Sequence, residues 1–125
     1  MTRTVVDTSI LIDVLRGRKD AGVLLRRTGI ANLHASEITR LEVLAGMRPA
    51  EEPATRGLLG LLEWHAVDSD IAEVAAQLGR QWLPSHRGID SADLAIAATA
   101  ITLNAPLLTR NIKHFPMFPG LRSPY

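Results

Sequence analysis

Along this chain, short apolar runs alternate with segments in which apolar residues recur every three or four positions. That alternation predicts strands and helices in turn. Thr4-Val5-Val6 reads as a buried strand, and Ile10, Leu11, Val14 and Leu15 as one face of a helix over 8–16 that Gly17 stops. Asp20 is placed to cap a second helix, running through Val23, Leu24 and Leu25 to Gly29. Ile30 to Ala35 reads as a second strand, and Ser36 as the N-cap of a helix with Ile38, Leu41, Leu44 and Ala45 inward. Residues 48–55, rich in Pro and Glu, read as an exposed link to a helix over 55–62 carrying Leu58, Leu59, Leu61 and Leu62. Trp64 to Val67 is a third strand, and Asp68 or Ser69 caps a long amphipathic helix through Ile71, Val74, Ala75, Leu78 and Trp82. Asp90 opens a helix over 91–103 that is apolar nearly all round, so it should lie buried. A last short strand follows at 106–109, then a single turn at 111–115. Strands alternating with helices predict an α/β domain, a parallel sheet with helices on both faces.

Composition narrows this frame without changing it. The 125 residues, 46% hydrophobic and 22% charged, suit one domain spanning 1–125. Cysteine is absent, which excludes disulfides and thiolate metal sites. No apolar run reaches membrane-spanning length and the N-terminus lacks the apolar core of a signal peptide, so the expectation is a cytoplasmic protein with no membrane partner. A net charge of +1 does not by itself announce a nucleic-acid binder. Basic residues do cluster, however: Arg16, Arg18 and Lys19 at the end of the first helix, and Arg110 and Lys113 after the last strand. Each singly suits a solvated helix end; together Arg16, Arg18, Arg110 and Lys113 are candidates for phosphate contacts.

Three acids stand where acids need a reason. Asp7 ends the first strand, the edge at which open α/β sheets bind ligands, though it could equally cap the helix, as could Thr8 and Ser9. Glu42 falls along the edge of the Ile38–Leu41 stripe; the plainer reading is a boundary glutamate reaching solvent or Arg48. Asp93 enters an apolar, small-sided helix, where an acid in the first turn is favoured by the helix dipole in any case. Asp90, one turn earlier, already supplies a cap. Three carboxylates converging on the sheet's carboxyl edge would repel one another unless a cation joined them, and hard oxygen ligands suit Mg²⁺ or Mn²⁺. The four histidines, His34, His65, His86 and His114, are scattered and show no zinc spacing. A carboxylate-held Mg²⁺ activates water and shields phosphate, which is suited to phosphodiester hydrolysis.

Four segments carry a family resemblance. These are Val5-Val6-Asp7-Thr8-Ser9, Leu41-Glu42-Val43-Leu44-Ala45-Gly46, Asp93-Leu94-Ala95-Ile96-Ala97-Ala98-Thr99-Ala100 and Leu108-Thr109-Arg110-Asn111-Ile112-Lys113-His114-Phe115. In this order they resemble the PIN-domain ribonucleases, and among them the VapC-type toxins of toxin–antitoxin pairs. The resemblance implies a three-layer sandwich around a short parallel sheet, and a Mg²⁺-dependent endoribonuclease (Mn²⁺ substituting) whose metal-binding catalytic acids are Asp7, Glu42 and Asp93. Thr8 and Ser9 would orient a ligand or phosphate. Many of these domains carry a fourth acid where this chain has Asn111, and Asp90 is one source of the missing charge beside its capping role. The resemblance further implies RNA as substrate, a VapB-type antitoxin as partner and a homodimer, with the leucine-rich helices over 20–29 and 55–62 as candidate contact faces. A response-regulator receiver would need adjacent acids and a lysine after the last strand, and an aspartyl phosphatase an acid at position 9; neither is present. A catalytically idle module on the same fold, binding protein or RNA, is the remaining alternative.

Overall fold

A computed structural model describes residues 2–125. Four strands, β1 (Thr4–Val6), β2 (Leu33–Ser36), β3 (Glu63–His65) and β4 (Leu107–Leu108), pair in parallel in the order β3-β2-β1-β4. Six helices connect and flank them: α1 (Thr8–Leu15), α2 (Lys19–Thr28), α3 (Glu37–Ala45), α4 (Glu52–Leu59), α5 (Ser69–Trp82) and α6 (Ser91–Thr102). Side chains alternate across a strand, and here the alternation divides the core in two. Val6, Leu33 and Ala35 pack with Ile10, Leu11, Leu25, Val43, Leu58 and Leu59 on one face. Val5 and Leu107 pack with Ile96, Ala97, Ala100 and Phe115 on the other. This is the three-layer α/β arrangement expected of the chain.

The strand order places the site. From β1 the chain moves outward to β2 and β3, then returns to lay β4 on the opposite side of β1. The seam between β1 and β4, where Val6 pairs with Leu108, is therefore the topological switch point, and the residues just beyond it are Asp7 and Thr109. α6 covers the second face with Asp93 through Ala100 all buried. It also meets α5 closely: a Cβ on Gly79 would stand 3.2 Å from the Leu94 side chain.

Several expectations are corrected. Ile30–Asn32 winds as a 3-10 turn, so β2 begins only at Leu33. Asp20 lies in the first turn of α2 rather than capping it; Arg18 holds the cap position. In α3 the fully buried residues are Thr39 and Val43; Ile38 and Leu44 are partly buried against the core as expected, while Leu41 is 61% exposed and Ala45 is exposed. The helix is rotated because Thr39, polar by pattern, has a buried hydroxyl partner in Thr8. The supposed link over 48–55 is largely helical, with Pro49 and Pro53 in first turns, where the missing N–H costs nothing. α4 stops at Leu59, and β3 is Glu63–His65 rather than 64–67. Neither Thr8 nor Ser9 caps α1; both lie inside it.

The leucines offered as contact faces are mostly core: Leu25, Leu58, Leu59 and Leu62 are buried and Leu24 is partly buried, leaving Leu61 outside. Two of the histidines are not isolated, since His34 Nδ1 and His65 Nε2 stand 2.8 Å apart across β2 and β3. Burial holds the buried His34 below the usual imidazole range. No helix among the described residues is long and apolar enough to cross a membrane.

Candidate active site

Asp7 occupies the N-cap position of α1 with extended backbone, yet its side chain makes no capping bond. Its carboxylate turns instead across the switch point. Oδ2 accepts 2.7 Å hydrogen bonds from both Thr109 Oγ1 and Ser9 Oγ. The residue is 2% exposed, and neither bond falls on Oδ1. Oδ1 thus keeps its acceptor capacity for a further partner. The helix-capping reading of Asp7 is thereby removed.

The donors holding Asp7 are themselves held. Ser9 Oγ accepts the Arg110 backbone N–H at 3.2 Å, and Thr109 Oγ1 accepts that of Asn111 at 2.9 Å. The Asn111 carbonyl accepts the His114 backbone N–H at 2.9 Å, and His114 Nδ1 reaches Asp93 Oδ2 at 3.1 Å. Asp93 is further tied to Asp90 by a reciprocal capping box: Asp90 Oδ1 accepts the Asp93 N–H at 2.8 Å, and Asp93 Oδ2 that of Asp90 at 3.1 Å. Asp90 is thus a helix cap, and Asn111 contributes backbone rather than an acid. Burial pushes the Asp93 carboxyl up to about 6, partly offset by the Asp90 N–H and by His114. Glu42 is exposed rather than half-sunk in a stripe, and joins the site through Thr8, whose hydroxyl donates to Glu42 Oε1 at 2.7 Å.

Hydrogen bonds therefore run from Asp7 through Thr109 and Asn111 to His114, whose imidazole stands 3.1 Å from Asp93, and Glu42 is attached through the residue after Asp7. The three acids are not gathered more tightly than that. Among the described residues no three His, Asp or Glu side chains form a group able to hold a metal ion. Each carboxylate instead has neighbours of its own, Asp7 through Oδ2 alone, as expected of like charges spread along an edge. The donor set is chemically suited to a hard divalent cation, because Mg²⁺ takes one or two carboxylates and keeps several waters rather than demanding a cage. The free oxygen of the buried Asp7 and the desolvated Asp93 carboxyl are such donors.

The basic residues divide. Arg110 donates to Asp13 Oδ2 at 3.0 Å and Arg18 to Asp20 at 2.8 Å, while Lys113 is exposed. Arg16 lines a cavity of about 470 Å³ with Ile12, Leu15, Glu42, Val43 and Met47, between α1, α3 and the approach to α4. Sequence reasoning missed Thr109, His114, Asp13 and Tyr125. Thr109 had a readable signal: it follows β4 as Asp7 follows β1, and register sets them side by side.

The chain belongs to the PIN domain family, whose model matches residues 4–117. Within that class it is 46% identical over 122 residues to a protein named Ribonuclease VapC19 from Mycobacterium tuberculosis, covering 96% of this chain and 98% of the relative. It is 33% identical to Ribonuclease VapC1 of Methanocaldococcus jannaschii, covering 91% of this chain and 79% of the relative. Among solved structures it is similar to a toxin–antitoxin complex from Klebsiella pneumoniae, with a TM-score of 0.83, 31% identity and 98% of each chain covered.

Proposed function

We propose that this protein is the ribonuclease toxin of a VapBC-type pair, a divalent-metal-dependent endoribonuclease with Asp7, Glu42 and Asp93 as its catalytic acids. One observation carries the reading: a buried aspartate at a helix N-cap forgoes the cap and turns its carboxylate across the switch point, with both of its side-chain hydrogen bonds on one oxygen and none on the other. Asp7 and Asp93 would hold the metal, with Glu42 taking part directly or through water; Mg²⁺ fits this oxygen set and Mn²⁺ would substitute. The ion would activate water and screen the charge that develops on a phosphate.

The chain's own residues do the rest. Thr109 and Ser9 fix Asp7 through one oxygen, so that its other oxygen points in a set direction without rearranging. Thr8 does the same for Glu42, and His114 with the Asp90 N–H for Asp93. The exposed Lys113 and Arg16 suit contacts to the RNA backbone, which would make binding salt-sensitive. The partner reading is supported by the groove beside Glu42, whose apolar wall of Ile12, Leu15, Val43 and Met47 is flanked by Arg16, Arg48 and Glu51. That surface suits a small antitoxin's apolar and charged segment lying against the acids. A homodimer, with exposed Leu41 and Leu61 available to contacts, completes the reading.

The test is cleavage of a fluorescent RNA panel by the purified toxin in Mg²⁺, in Mn²⁺ and after chelation. Cutting that requires the added metal is expected. Metal-independent cutting overturns the cofactor assignment, and no cutting of any RNA overturns the enzyme reading in favour of an idle module.

A further inference from the structure

Near the seam, three segments distant in sequence meet at one carboxylate. Asp13 of α1 is 14% exposed in its side chain, and its Oδ2 accepts both the Tyr125 hydroxyl at 2.6 Å and the Arg110 guanidinium at 3.0 Å. The Tyr125 ring is in turn met by two guanidiniums, Arg18 at 4.7 Å and Arg110 at 5.4 Å from its centre. These neighbours act on titration as they should: the Tyr125 and Arg110 bonds and the nearby Arg18 hold Asp13 below the usual carboxylate range, against a desolvation that opposes them. The same Arg110 gives its backbone N–H to Ser9 Oγ, which donates to Asp7, and it follows Thr109, the other donor on Asp7. Arg110 is therefore gripped at its side chain by one cluster while its backbone serves another.

We propose that Tyr125 is a positioning residue for the candidate active site: by holding Asp13, and through it the Arg110 guanidinium, it fixes the turn after β4 whose donors orient the Asp7 carboxylate. The inference rests on the ribonuclease reading for its kinetic consequence but not for its structural one. It also reassigns Arg110. A guanidinium already committed to Asp13 and Tyr125 braces the turn instead of reaching for phosphate. The hydroxyl, not the ring, carries the effect, because the ring contacts survive its removal.

Tyr125→Phe isolates that hydroxyl, with Asp13→Asn and the double variant closing a cycle. Two readings are taken: steady-state cleavage of one fixed single-stranded RNA in Mg²⁺, and amide hydrogen exchange at Arg110 without RNA. Tyr125→Phe is expected to lower kcat by about 10-fold with KM within about 2-fold, since small misplacements of reacting groups are costly. Exchange at the Arg110 amide should rise, and Tyr125→Phe should have no further effect once Asp13→Asn is present. Unchanged kcat and exchange overturn the proposal. So does a loss confined to KM, which marks a phosphate contact, or a loss that merely follows the folded fraction. A wild-type protein that cuts no RNA refutes the ribonuclease reading instead, and the exchange arm then decides this one.

Discussion

Helices α1 and α6 both begin at an aspartate with extended backbone, Asp7 and Asp90, and only one of them caps its helix. Asp90 exchanges hydrogen bonds with Asp93 in a complete box, which satisfies the donors at the start of a buried helix. Asp7 makes no such bond to its helix and turns its carboxylate to the hydroxyls of Thr109 and Ser9. Ser36 of α3 and Asp68 of α5 cap as Asp90 does, accepting from Ile38 and Ile71. Of the four α-helices that start from an Asp or Ser among the described residues, the one left uncapped by that side chain is α1, at the switch point. A residue type at a position is thus not enough to separate folding from chemistry; what separates them is whether the side chain answers its own helix or another strand.

The sharpest way to break this contrast is Asp7→Asn. Activity on RNA should fall by about 10²–10³-fold, the usual cost of losing one preorganised charge, while stability stays within about 1 kcal/mol in a denaturant melt. A large loss of stability with activity retained per folded molecule would return Asp7 to the role of a cap.

Next comes pH. Burial raises Asp93 from 3.8 to about 6, so between these values the folded protein keeps a proton that the unfolded chain has released. Stability of the chelator-treated protein should therefore decline as pH rises from 4 to 6, by up to ~3 kcal/mol. Asp93→Asn should flatten that slope. Thermal melts across the window measure it, and a slope unchanged in the variant would assign the effect elsewhere.

The smallest expected effect is Asp90→Ala, which removes one capping acceptor and should cost about 1 kcal/mol. Calorimetry should register it as a modest drop in Tm. Activity per folded molecule should fall far less than for Asp7→Asn, and equal losses in the two would erase the distinction between them.

Much of this was legible in the pattern of residues, and the failures are instructive. β1, α1 and α6 read correctly because their apolar runs and stop signals are local: Val5-Val6, Gly17 with its φ of 81°, and the Ala-rich run after Asp93. The face of α3 was misread because hydropathy counts Thr39 as polar, whereas its hydroxyl is matched by Thr8 and can be buried without penalty. Leu41, by the same token, lies outside. Asp7, Glu42 and Asp93 stood out singly as acids in odd places. The groups that orient them did not, since Thr109 and Tyr125 meet Asp7 and Asp13 across 102 and 112 residues. Such partners are set by strand register and by the path of the tail, and no local window contains them.

The glycine at position 79 has a reach beyond its own helix. With no methyl there, α5 settles against Leu94, the residue directly after Asp93. A larger side chain at 79 would have to displace Leu94 or Leu83 by a few tenths of an ångström. The spacing of two helices on the sheet's far side is in this sense a close fit: one missing carbon lets the Leu94 side chain lie against α5, one residue after the acid at the entrance of α6.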